Sequence, residues 1–335
     1  MRCTQSRGSR GFHCLVCSPR PGERGRYPTT RFHMSTPTPP KPRQPIESRL
    51  GHLCCFIETR NDDGYFTGSG FLFDDVEVAE NDERKPGWRP VRGSYVVTNR
   101  HVLFGLPEDE KKPNSITINV RKLDAKTAEY KWHSIHLDEN EIDSNVFVHD
   151  NPDVDVAVID LANRRLEDLG SSRPVSALNA IDNHPMLTVE CTDDVVIVGF
   201  PLGYYDERNH YPIVKRGIIA SAWGSNFDGE PFFLIDAKLF PGSSGSIVLS
   251  KPIDHVVKDG KTYAADGKQY ALLGIYSGEP DLGTKNDPEY VDVGIVWYAN
   301  LIDETIKSKT VWDAGVSPTN TLGTLRRPTR RKAQS

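Results

Sequence analysis

The chain has 335 residues, 37% of them hydrophobic and 26% charged, with 27 glycines and 24 prolines. This excludes a collagen-like or wholly disordered chain, and no apolar run reaches the roughly 20 residues that span a bilayer as a helix. The formal charge of −5 is uneven: residues 1–43 carry nine Lys/Arg and one Glu, residues 315–335 carry five Lys/Arg and no acid, and the body between is acidic. An acidic body with basic ends argues against a fold built to bind nucleic acid.

Residues 1–45 are rich in Arg, Pro, Gly and Ser and have no hydrophobic periodicity, which predicts a disordered basic segment. They hold no apolar core of a signal peptide, so a cytoplasmic chain is expected. The Arg-rich composition leaves organellar targeting as an alternative, and Met34 is a candidate start. From Gly51 the pattern turns to short β-rich runs separated by turns. Strands are expected over 52–58, 65–73, 94–98, 115–121, 129–136 and 155–161, with an exposed charged insert at 74–93. Residues 162–185 lose strand character and read as an interdomain connection. Further strands are expected over 187–191, 194–199, 213–222, 232–238, 246–250, 270–276 and 291–297. Leu301, Ile302, Thr305 and Ile306 then share one helical face, which predicts a helix over 300–307 with Asn300 and Asp303 as a capping pair. Residues 309–335 read as a second disordered basic tail.

The six cysteines are Cys3, Cys14, Cys17, Cys54, Cys55 and Cys191. Adjacent Cys54 and Cys55 lie on an apolar strand, where their side chains point to opposite faces. Free thiols in a reducing compartment fit better than a disulfide framework. His133 and His136 sit at odd spacing on a strand, so they cannot ligate one metal together. No metal and no cofactor is expected.

The chemistry is concentrated in three places. Pro241-Gly242-Ser243-Ser244-Gly245 presents a serine between small residues after a tight turn, beside backbone N–H groups able to hold an oxyanion. His101 follows the β-branched run 95–98, and Asp155 opens the run Val156-Ala157-Val158-Ile159. The order His, Asp, Ser is one of the known chain orders of a catalytic triad. Ser244 is the expected nucleophile, His101 the general base and Asp155 its orienting acid, with the N–H groups of Gly242 and Ser244 as the oxyanion hole. Asp153, two residues earlier on the same strand face, is the alternative acid. Each residue alone also fits an ordinary turn, strand end or cap.

These segments resemble the trypsin-like serine peptidases, chiefly the Deg/HtrA-type proteases and the glutamyl endopeptidases. The likeness is carried by Gly68-Ser69-Gly70-Phe71, Thr98-Asn99-Arg100-His101-Val102, Gly199-Phe200-Pro201-Leu202-Gly203, Gly217-Ile218-Ile219-Ala220-Ser221 and Gly274-Ile275-Tyr276-Ser277. It implies an all-β fold of two antiparallel six-stranded barrels over residues 46–308. The first barrel would span about 46–165 and the second about 186–298, followed by the terminal helix. It also implies a peptide or protein substrate held in the cleft between barrels, with Lys238, Tyr276, Ser277 and Gly278 lining the substrate site. The 27 residues after Ser308 are too few for the PDZ domain of most Deg/HtrA relatives.

Two departures stand out. Ser243 occupies the place of the aspartate that anchors the oxyanion loop in trypsins, so the loop is expected to depend on local contacts and to be free to collapse. Lys238 begins the primary pocket, where it would attract an acidic side chain or, as preferred here, extend to solvent. A serine endopeptidase is the expected function; the alternative is a catalytically silent module that binds a protein partner in the same cleft.

Overall fold

The computed structural model describes residues 46–62, 64–76, 90–124, 126–161, 175–176, 187–258, 261–280, 292–316 and 318. The N-terminal segment 1–45, most of the insert 74–93, most of the connection 162–185 and nearly all of the tail beyond 316 lie outside the described residues.

The chain enters through a helix, α1 (Ile46–Leu53), where a strand was expected from His52. Ile46, Leu50 and Leu53 fall at i, i+4 and i+7 after Pro45, a helical stripe too short to stand out in sequence. Eight strands follow: β1 (Cys54–Asn61), β2 (Gly64–Val76), β3 (Val91–Thr98), β4 (Ser115–Leu123), β5 (Tyr130–Leu137), β6 (Val146–Val148), β7 (Ala157–Asp160) and β8 (Val175–Ser176). They form one sheet in the order β5-β4-β1-β2-β3-β7-β6, with β8 pairing in parallel on β2. Cys55, Ile57, Leu72, Val96, Ile118, Ile135, Val146 and Ile159 share one buried core. Both end strands, β5 and β6, point into that core, so the sheet is rolled.

The first barrel has seven strands in its path, with β8 beside β2, where six were expected. Its end strands are joined by helix α3 (Glu139–Asn145) instead of a ladder. Asp138 caps α3 by accepting from the Glu141 N–H at 2.9 Å, in a reciprocal capping box. Ile142 of α3 is buried in the same core.

The second barrel is closed. Its strands β9 (Asp194–Gly199), β10 (Ile213–Ile219), β11 (Phe232–Asp236), β12 (Ile247–Ser250), β15 (Leu272–Gly278) and β16 (Val293–Tyr298) run in the order β10-β11-β16-β15-β12-β9. Between β12 and β15 lies a hairpin, β13 (Ile253–Lys258) with β14 (Lys261–Gln269), which the sequence reading did not place. Residues 187–191 form no strand: the Glu190 N–H bonds the Asp193 carboxylate at 2.8 Å, and the chain turns there.

Another buried cluster joins the barrels. Phe56, Phe71, Phe73 and Val97 from the first sheet pack with Val198, Phe200, Ile247 and Trp297 from the second barrel. Cys54 belongs to this cluster and Cys55 to the first-barrel core, so the adjacent thiols face opposite sides of β1 as strand geometry requires. Both are free and buried, and burial pushes their pKa values up; Cys191 is free but exposed.

Helix α4 (Asn300–Ser308) buries Leu301, Ile302, Thr305 and Ile306. Ala299, without a side-chain cap, precedes it, and the Asn300 amide donates to Glu304 Oε1 at 2.8 Å in place of the expected capping pair with Asp303. Beyond α4 the chain turns to the first barrel, where a tail was expected from residue 309. Thr310 bridges Val148, and the Trp312 ring stacks on Phe104 at 4.8 Å and 7°. No helix among the described residues is long and apolar enough to cross a membrane.

Candidate active site

His101 lies in the short helix α2 (Arg100–Phe104) directly after β3. β3 pairs with β7, and this places His101 beside Asp155 just ahead of β7. The two are joined twice. The His101 backbone N–H donates to Asp155 Oδ1 at 2.9 Å, and its Nδ1 meets Oδ2 at 2.7 Å. A carboxylate only accepts, so Nδ1 carries the proton and Nε2 is left as the basic nitrogen. The Asn99 side-chain amide donates to the Asp155 carbonyl at 2.7 Å, fixing the backbone on which the carboxylate rides. Asp153, the alternative acid, lies in a turn where its N–H bonds Asn151 Oδ1 at 3.0 Å, and it is Asp155 that meets the imidazole.

Burial works against a charged His101, but the Asp155 carboxylate in contact and the Glu110 charge more than offset it. The His101 pKa therefore stands above its ordinary value of 6.5. Glu110 also holds the neighbouring Arg100, with two hydrogen bonds of 2.7 and 2.8 Å, and both side chains are almost wholly buried. Arg100 Nη2 donates to the Val316 carbonyl at 2.9 Å, and Trp312 Nε1 donates to Glu110 Oε2 at 3.2 Å. The segment beyond α4 thus reaches the helix that carries His101.

Ser244 sits on the turn between β11 and β12. Its hydroxyl donates to the Ser277 carbonyl on β15 at 2.7 Å. Ser277 also donates its own hydroxyl to Asp155 Oδ2 at 2.5 Å. One residue therefore links the serine turn of the second barrel to the His–Asp pair of the first. Ser277, expected among the substrate-lining residues, thus also bonds the carboxylate, a link with no local sequence signal.

Backbone direction matters most at Gly242, whose φ is +85°, a region open to glycine. The Pro241 carbonyl accepts the Leu202 N–H at 2.6 Å, and the Ser243 N–H donates to the Phe240 carbonyl at 3.0 Å. In a trans peptide the N–H points opposite the carbonyl. With the Pro241 carbonyl turned to Leu202, the Gly242 N–H faces the other way. The collapsed loop expected from Ser243 is therefore not what the structure holds. The Leu202 N–H holds the Pro241 carbonyl and the Ser69 hydroxyl holds the Gly242 carbonyl at 2.8 Å, and position 243 supplies no carboxylate.

Lys238 is exposed and its carbonyl accepts from the Lys215 ammonium, in keeping with the reading that its side chain extends to solvent. Tyr276 is buried, and its ring lies where a Cβ on Gly294 would sit, 2.6 Å from Cε2. Gly278 is partly buried at the end of β15. Beside it, burial and the Asp292 charge hold the Glu279 carboxyl above its usual range, with Lys238 opposing them.

The family profile described as "Trypsin-like peptidase domain" matches residues 68–257, more than half of the chain. The chain belongs to that family. The matched span includes His101, Asp155 and Ser244 of the trypsin-like domain. No curated protein matches it in sequence. Among solved structures, the domain is similar to the active form of the Rv3671c protease from M. tuberculosis, at 17% identity and a TM-score of 0.43, covering 80% of this chain and 86% of that one. It is also similar to a serine endoprotease from Yersinia pestis, at 17% identity and a TM-score of 0.40, covering 78% and 64%. A third is the tobacco etch virus protease complexed with product, at 12% identity and a TM-score of 0.43, covering 83% and 87%.

Proposed function

We propose that this chain is a serine endopeptidase in which Ser244, His101 and Asp155 act as nucleophile, general base and orienting acid. The observation that carries the reading is the doubly bonded Asp155, which holds the His101 ring with Nε2 as its basic nitrogen.

A peptide substrate would enter along β15, where β12 pairing ends and the Ser277 carbonyl is within reach. A backbone N–H of an extended peptide is the natural donor to that carbonyl. Once it binds there, the Ser244 hydroxyl loses its resting acceptor and turns to His101. Ser244 Oγ then attacks the scissile carbonyl carbon while its proton passes to Nε2. The carbonyl electron pair moves to oxygen, and the N–H groups of Gly242 and Ser244 receive the developing charge. Collapse breaks the C–N bond, and His101 delivers its proton to the leaving amine. Water, deprotonated by His101, hydrolyses the acyl-enzyme and frees Ser244. No step calls for a cofactor.

The test is to incubate the chain with an unfolded protein and map new N-termini by mass spectrometry. New termini with the wild-type chain, absent with Ser244→Ala, are expected. Their absence with both would favour the silent module that only binds a partner.

A further inference from the structure

We infer that Ser69, on β2 of the first barrel, is a positioning residue that fixes the peptides flanking Gly242 in the second barrel and so sets the direction of the Gly242 N–H. Ser69 is completely buried. Its hydroxyl donates to the Gly242 carbonyl at 2.8 Å and accepts the Phe200 N–H at 2.8 Å. Its backbone N–H donates to the Ser244 carbonyl at 2.8 Å, and its own carbonyl accepts the Thr98 hydroxyl at 2.8 Å. Every hydrogen-bonding group of this serine is therefore engaged, two of them directly on the serine turn.

The arrangement acts on two consecutive peptide groups. Ser69 Oγ–H grips the carbonyl of the Gly242–Ser243 peptide. By accepting from Phe200 it also fixes the start of the 200–203 turn. That turn supplies the Leu202 N–H, which grips the carbonyl of the Pro241–Gly242 peptide at 2.6 Å. Leu202 holds a left-handed φ of +53° while 69% exposed, a conformation a leucine adopts only under constraint. With the Pro241 carbonyl held by Leu202 and the Gly242 carbonyl held by Ser69, both peptides flanking Gly242 are fixed, and the Gly242 N–H has one direction left. Gly242 itself would permit a flip, so the restraint must come from its neighbours. Ser243 offers the Phe240 N–H only a 3.4 Å contact and brings no carboxylate of its own to the loop. Gly199 leaves room for the clamp: a Cβ there would lie 2.6 Å from Ser69 Oγ.

This inference rests on the peptidase reading, and its test separates the two. Wild-type chain and Ser69→Ala are compared for the second-order rate of labelling by a fluorophosphonate, whose phosphoryl oxygen occupies the oxyanion hole. The pH dependence of that rate is measured alongside. Ser69→Ala should label at least about tenfold more slowly, part of the roughly 10²–10³-fold that outright loss of one oxyanion donor costs. Its pH limb should stay where the wild type has it, because the His101–Asp155 pair is untouched. Ser69→Cys, which keeps a weak donor of similar shape, should fall between the two and serves if the alanine variant does not fold. Ile118→Val, in the first-barrel core, controls for general loss of stability and should label as wild type. Labelling of folded Ser69→Ala or Ser69→Cys at the wild-type rate, or a slowing matched by Ile118→Val, would overturn the inference while leaving the peptidase reading intact. A wild-type chain that never labels would remove both.

Discussion

Ser277 holds Asp155 through its hydroxyl at 2.5 Å and Ser244 through its carbonyl at 2.7 Å. Its side chain therefore braces the Asp155 carboxylate, and its backbone takes up the Ser244 hydroxyl. Replacing the side chain separates these roles, since Ser277→Ala keeps the carbonyl. The carboxylate then loses one donor and holds the imidazolium more strongly. We expect kcat/KM to fall severalfold and its pH limb to move upward. A limb that stays in place in Ser277→Ala would show that the hydroxyl does not reach the site's electrostatics.

The pH dependence has a fixed sign. His101 must be neutral to act as base, and its folded pKa stands above 6.5. Activity should therefore rise through a limb above the ordinary histidine value. Stability should run the other way. A pKa raised on folding stabilises fully below the unfolded value, and that contribution fades as pH climbs through the folded value. NMR titration of the His101 ring in Ser244→Ala protein measures the value directly. A midpoint at or below 6.5 would contradict the geometry.

The segment 309–316 is expected to support the site rather than hang from it. Trp312 stacks on Phe104 and bonds Glu110, and Glu110 holds Arg100 next to His101. Trp312→Ala should cost about 2 kcal/mol of stability, and a chain ending at Ser308 should lose more. Chemical denaturation of both variants checks this. Unchanged unfolding midpoints would show the strap to be a passive covering.

On the proposed mechanism the Gly242 N–H needs no rearrangement to serve the oxyanion, so steady-state kinetics on a peptide substrate should be hyperbolic, without a lag. The Gly242 N–H is set by bonds from Leu202 and Ser69 that do not involve substrate. Sigmoidal dependence on substrate would show that the loop is remade on binding.

Much of this was legible in the sequence, for physical reasons. Strands such as 194–199 alternate or run apolar between turns, and they stand where expected. His101, Asp155 and Ser244 were visible because each follows or opens a β-rich run, and pairing of β3 with β7 brings the first two together. What escaped notice depends on contacts distant in sequence. Ser69 read as part of a small-residue motif, because nothing local says its hydroxyl meets Gly242 173 residues away. Residues 309–316 show no periodic signal because scattered single contacts hold them: the Thr310 bridge, the Trp312 ring and the Val316 carbonyl. The hairpin of β13 and β14 escaped because charged residues interrupt the apolar alternation of both strands.

The central claim is that Ser244 is the group that reacts. Its most direct test is intact-mass and peptide-level analysis after treatment with a fluorophosphonate. One adduct per chain is expected, located on Ser244, abolished in Ser244→Ala and strongly slowed in His101→Ala. An adduct on Ser243 or Ser246, or labelling that survives in Ser244→Ala, would contradict it.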